Sequence, residues 1–107
     1  MYILLLINQG GFILDKYNKN QLVEAIRTDI MGEFEAINQY QRHIDSTDNQ
    51  AAIKIWENIR NEEEVHVGEL LTLLAIFNPR QAVAIEKGES EVKRLLDGMG
   101  YNFDDVL

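Results

Sequence analysis

The sequence contains no cysteine. That excludes a disulfide frame, a thiolate nucleophile, a cysteine-held zinc and an iron–sulfur cluster, so any bound metal must take oxygen and imidazole ligands. Basic residues are scarce: 10 Lys and Arg stand against 18 Asp and Glu, a formal charge of −8. Phosphate contact needs clustered Lys and Arg, so no nucleic-acid partner is expected, whereas cations would be attracted. No apolar run approaches the ~20 residues of a membrane helix. The opening stretch, residues 1–7, is apolar but short, and Gly10-Gly11 breaks it. It lacks the basic start and small-residue cleavage site of a secretory signal, and reads as a strand, a packing arm or a frayed end. The expected location is the cytoplasm or a compartment within it.

At 107 residues the chain is one domain at most. Two helical stretches dominate it. Asn18 or Asn20 can cap a first helix running to about Ile44, with apolar positions stepping by three and four through Val23, Ile26, Ile30, Ile37, Tyr40 and Ile44. Residues 45–49 hold no large apolar side chain and read as a short loop, from which Ser46, Thr47 or Asp48 can cap a second helix from about Gln50 to Phe77. The single proline, Pro79, ends it. A weaker helical stretch follows from Arg80, interrupted at Gly88 and stopped by Gly98-Met99-Gly100.

Both long helices carry charge on the apolar seam. On the second the seam runs Trp56, Ile59, Glu63, His66, Leu70, Leu73, Phe77; on the first, Glu33 interrupts Ile30 and Ile37. An ionised carboxylate on a core seam is expensive unless paired or metal-bound. A short loop makes the helices antiparallel. Glu33 and Glu63 are equidistant from residue 48 within that loop, so each lies roughly 22 Å from the turn at ~1.5 Å per residue. They share one level of the hairpin, and His66 lies one turn further along the same face.

Glu-x-x-His on one helix with a lone Glu on its neighbour is half of a di-iron carboxylate centre, which takes four Glu and two His in all. One chain has no second Glu-x-x-His, so two copies related by a two-fold axis would have to supply the set. Four carboxylates balance two divalent ions, and carboxylate plus imidazole suits iron or manganese without excluding zinc. Two ferrous ions held together could give two electrons to dioxygen or peroxide. Tyr40, two turns along the seam from Glu33, is a candidate hydrogen-bond donor to a metal ligand or a redox neighbour, though a packed tyrosine with a satisfied hydroxyl is the plainer reading. Glu62 and Glu64 read as surface charge, and His43 as a surface histidine.

Residues 32–45, GEFEAINQYQRHID, followed by residues 58–66, NIRNEEEVH, resemble the encapsulated ferritins, two-helix relatives of ferritin and rubrerythrin. The likeness spans roughly Leu22 to Leu74. It implies an all-α fold: a ferritin-like antiparallel two-helix hairpin over residues 18–107 with a short C-terminal helix, completed to a four-helix bundle by dimerisation; residues 1–17 before it read as an apolar arm or a disordered segment. It implies that Glu33, Glu63 and His66 are ferroxidase ligands, and that Glu35 falls at a secondary site through which metal enters. It implies a homodimer or ring of dimers, ferrous iron oxidation, and mineral storage inside an encapsulin shell, a nanocompartment in the cytoplasm. Gly32 stands where another acid can help draw iron in, Gln39 replaces an aromatic often found beside the tyrosine, and the tail shows no clear shell-targeting peptide. Two other readings stand beside this one. A rubrerythrin-like peroxide reductase would need electrons from a partner, since the chain lacks cysteine. A non-catalytic helical scaffold would hold no metal.

Overall fold

The computed structural model describes residues 15–102 and 104; the apolar opening stretch lies outside them. The described chain is three helices: α1 (Lys19–Asp45), α2 (Gln50–Phe77) and α3 (Pro79–Gly98). The fold is all-α.

Local chemistry sets each boundary. At the start of α1 the Asn18 side chain accepts from the Gln21 amide at 2.9 Å, and the Gln21 side chain accepts from the Asn18 amide at 3.0 Å. This reciprocal box satisfies two of the donors a helix start leaves open. The loop from Ser46 to Asn49 turns the chain back. The sequence offers Ser46, Thr47 or Asp48 as the cap of α2, but the structure uses Asn49, whose Oδ1 accepts from the Ala52 amide at 3.0 Å. Thr47 instead accepts from the Asn49 amide at 3.2 Å, and the Ser46 hydroxyl donates back to Arg42 at 2.6 Å. The loop hydroxyls finish the first helix and brace the cap residue, which leaves the amide side chain nearest the helix to do the capping.

Asn78 links α2 to α3. Its amide donates to the Leu74 carbonyl at 2.8 Å, and its own carbonyl accepts from Gln81 at 3.0 Å. Pro79 follows at the first helical position, where a missing N–H is harmless. The Arg27 guanidinium then grips Gln81 Oε1 through Nε at 3.1 Å and Nη2 at 2.8 Å, tying α1 to the base of α3. The expected interruption at Gly88 is absent: α3 runs through it without a break. Glycine lowers helix stability by less than the surrounding turns supply, and the space around Gly88 is open. The helix stops where Gly100 adopts φ +87°, letting the Tyr101 amide reach back to Leu96 at 2.9 Å. Gly88→Ala should stabilise the fold by ~0.5–1 kcal/mol, read as a higher melting temperature by circular dichroism.

The buried core is narrow. Val23, Ile26 and Ile30 of α1 meet Leu74 of α2, with Leu22, Leu70 and Phe77 packed beside them. Val67 is also buried. The seam on α2 therefore differs from the strict heptad pattern. Glu63, Leu70 and Phe77 are shared, but the second column facing α1 is Val67 and Leu74 instead of His66 and Leu73. Leu73 is 38% exposed, and His66 is also exposed. Val67 and Leu74, four residues after Glu63 and Leu70, lie about 40° round the helix from that column, whereas His66 and Leu73, three after, lie about 60° the other way, so the nearer pair is the one covered. No residue of α3 is buried, and Val83, Ile85, Val92 and Leu95 stand open on it. The radius of gyration is 19.9 Å, against the ~13 Å of a compact domain this size.

Candidate metal centre

Antiparallel pairing brings Glu33, Glu63 and His66 to one point. His66 Nδ1 lies 3.5 Å from Glu33 Oε1 and 3.5 Å from Glu63 Oε2. One donor atom from each residue lies within 4.8 Å of the other two, the one such group among the described residues. A good hydrogen bond to nitrogen spans ~2.7–3.2 Å, so the imidazole is bonded to neither carboxylate. The spacings are close to those of ligands that share one ion. Donors ~2.1 Å from one cation sit about 3 Å apart in cis positions.

The electrostatics point the same way. The two carboxyl side chains are mostly covered, at 23% and 19% exposure. Glu33 Oε2 is buried and has no hydrogen-bond partner. A buried carboxylate oxygen without a donor is a strongly unfavourable arrangement unless a positive charge comes to it. Arg60, one turn before Glu63, does not supply that charge. Its guanidinium donates to Gln41 Oε1 at 2.7 Å and to Asn61 Oδ1 at 3.1 Å. The donor set of two carboxylates and one imidazole thus fits a hard or borderline divalent ion.

His66 is the outward member, its side chain 47% exposed. With Leu73 it forms the α2 column that α1 does not cover. A cleft of about 470 Å³ opens beside the carboxylates, lined by Thr28, Asp29, Gly32, Glu33, Ala36 and Glu63 among others. Gly32 leaves this wall open, since nothing lies within 4 Å of where its Cβ would be.

Other sequence candidates fall elsewhere. Glu35, Glu62 and Glu64 are exposed and outside the cluster. Tyr40 makes no hydrogen bond to it; its ring stands edge-on to His43, with centroids 6.4 Å apart. His43 is not a surface histidine. It is half-buried against Trp56, with centroids 5.0 Å apart, and its Nδ1 is buried. Asp29, also on the cleft wall, has no mark in the seam pattern beyond its place four residues before Glu33, which puts it on the same helix face.

A crystal structure of the encapsulated ferritin domain from Pyrococcus furiosus superimposes on this chain with a TM-score of 0.77 and 32% identity, covering 84% of this chain and 89% of that one. The chain belongs to the encapsulated ferritin family. A ferritin-like–encapsulin shell fusion protein from the same organism is 36% identical over 79 residues, which is 74% of this chain and 23% of the fusion protein. The encapsulin nanocompartment cargo protein EncC of Myxococcus xanthus is 31% identical over 86 residues, 80% of this chain and 66% of the cargo protein. The chain thus spans under a quarter of the fusion protein and about two thirds of the cargo protein. The sequence matches no family model. Among the described residues no helix is long and apolar enough to cross a membrane.

Proposed function

We propose that this chain is a ferroxidase, oxidising ferrous iron with dioxygen at a di-iron centre built from Glu33, Glu63 and His66 of two copies. The observation that carries this reading is the convergence of the three donor atoms around an uncompensated, buried Glu33 oxygen. The open His66–Leu73 column supports the second copy. A half-covered ligand beside an exposed leucine is the edge of a site that another protein surface completes.

Iron is the substrate. His66 binds through the Nδ1 lone pair, which requires the imidazole proton on Nε2. The Glu63 carboxylates of the two copies would bridge or chelate the ions, and Glu33 would complete each shell. Four negative charges hold two ferrous ions in a partly dehydrated site. The added charge of the ferric state binds more strongly to the same oxygens, so the ligand set favours oxidation. The cleft beside Asp29 and Gly32 gives iron and oxidant a path to the carboxylates. The names of two relatives tie them to an encapsulin shell. We assign this chain the same kind of setting, as cargo within a cytoplasmic nanocompartment where ferric product collects.

The test starts from metal-free protein. Ferrous iron is added without oxygen, bound metal and oligomer size are measured, then air or peroxide is admitted and near-ultraviolet ferric absorbance followed. About one iron per chain, conversion to dimers or larger rings, and fast oxidation by dioxygen are expected. Oxidation by peroxide alone would favour the peroxide reductase. Retention of no metal would leave the helical scaffold.

A further inference from the structure

Three cations of this acidic chain line one cleft. At the end of the hairpin away from its loop, the start of α1, the end of α2 and the start of α3 meet around a space of about 450 Å³. Lys19 and Arg27 of α1 and Arg80 of α3 line it, with Val23 and Phe77 as its apolar part. Lys19, Val23 and Arg27 step by four, which sets them on one face of α1. A second cleft of about 370 Å³ shares Arg27, Asn78 and Arg80 with the first. None of the three cations pairs with a carboxylate among the described residues. Glu24, one turn before Arg27, lines a different cleft.

The tie between α1 and α3 does not account for this charge. An arginine that only joined two helices would be matched best by Asp or Glu. Arg27 instead sets Nε and Nη2 on one neutral oxygen, Gln81 Oε1. That bond orients the guanidinium and leaves its charge whole, and its other N–H groups make no bond among the described residues. Asn78 makes no side-chain bond to the first turn of α3, so the positive end of that helix is also unmet. Uncompensated positive groups from two helices repel one another unless an anion lies between them.

We propose that this joint binds a phosphate group. A tetrahedral oxyanion offers oxygens in several directions, so one group can accept from Lys19 and Arg27 on one helix and from Arg80 on the other. Three cations suit one phosphate group and are too few to follow a nucleic-acid backbone. The consequence is mechanical. Among the described residues the side-chain hydrogen bonds from α1 to α3 all run from Arg27 to Gln81, and no residue of α3 is buried. Bound phosphate is a second tie, which holds α3 against the hairpin. Iron plays no part in it, so the site stands or falls separately from the ferroxidase reading.

The test uses metal-free protein in a phosphate-free buffer. Inorganic phosphate and glycerol phosphate are titrated side by side at constant ionic strength, set with potassium chloride, and followed by phosphorus magnetic resonance linewidth. Saturable broadening with a dissociation constant of about 1 mM or tighter is expected, and the tighter binder identifies what carries the group. At about tenfold excess over that constant the melting temperature should rise by roughly 5–10 °C, and amide exchange at the start of α3 should slow. The Arg80 side chain makes no hydrogen bond among the described residues, so Arg80→Gln should melt like wild type without phosphate, yet bind it at least ~10-fold more weakly. Arg80→Lys should keep most of the affinity. Phosphate also stabilises proteins without a site, by exclusion from their surface. A melting rise that persists in full in Arg80→Gln, or broadening by neither phosphate, would overturn the proposal.

Discussion

Glu63→Leu should bind ferrous iron at least ~100-fold more weakly than wild type, yet melt at a higher temperature when both are metal-free. Loss of a residue that only supports a ligand already weakens metal affinity by ~10–100-fold, and Glu63 is itself a ligand in the proposed centre. Two-fold pairing doubles the damage, because each substitution removes a carboxylate from both halves. The stability change has the opposite sign. Glu63 faces Glu33 across a mostly covered seam, with its nearest guanidinium engaged by Gln41 and Asn61. Replacing a covered charge by an apolar side chain of similar size is often stabilising, here by about 1 kcal/mol because the site keeps some exposure to solvent. Isothermal titration under nitrogen measures the first effect and a metal-free thermal melt the second. A variant that loses stability without metal and still binds iron would show that Glu63 is an ordinary structural acid.

Ferrous iron should stabilise wild-type protein strongly and leave His66→Ala unmoved. A ligand that binds only the folded state adds about 2.7 kcal/mol at a hundredfold excess over its dissociation constant. For a domain of this size that corresponds to a rise of roughly 10–20 °C in melting temperature. The imidazole is the one neutral ligand of the three and the one least covered by its own chain. His66→Ala therefore removes binding while disturbing little of the core. Because the proposed centre needs two copies, the gain should grow with protein concentration, and a chelator should reverse both the melting shift and the dimerisation. The measurement is a thermal melt at two protein concentrations, paired with analytical ultracentrifugation. Equal melting curves with and without iron in wild type would show that this cluster takes no cation.

The hairpin and its carboxylate cluster are legible in the sequence because they follow from counting. Equal distances from a short loop fix the level of Glu33 and Glu63, and helical periodicity fixes the face. Periodicity could not fix which of two neighbouring columns on α2 would turn inward. His66 and Leu73 continue the apolar pattern as well as Val67 and Leu74 do, and which side of the Glu63–Leu70–Phe77 column meets α1 is decided by how the two helices pack. The cap of α2 depended on which of several loop side chains was spent on closing α1, a local competition with no sequence signature. Gly88 resembled a break because glycine weakens helices, but propensity is a mild preference over a run this long. His43 reads as a surface residue because its position beside the seam says nothing about Trp56 on the other helix; only the register of the pair places those rings together.

The exposed column through His66 and Leu73 has a consequence for inheritance. If the centre is shared, a chain lacking one ligand does not merely fail; it occupies the place a sound copy would have taken. A cell making both forms would lose activity more steeply than in proportion to the defective share, so a single damaged gene copy would behave as dominant.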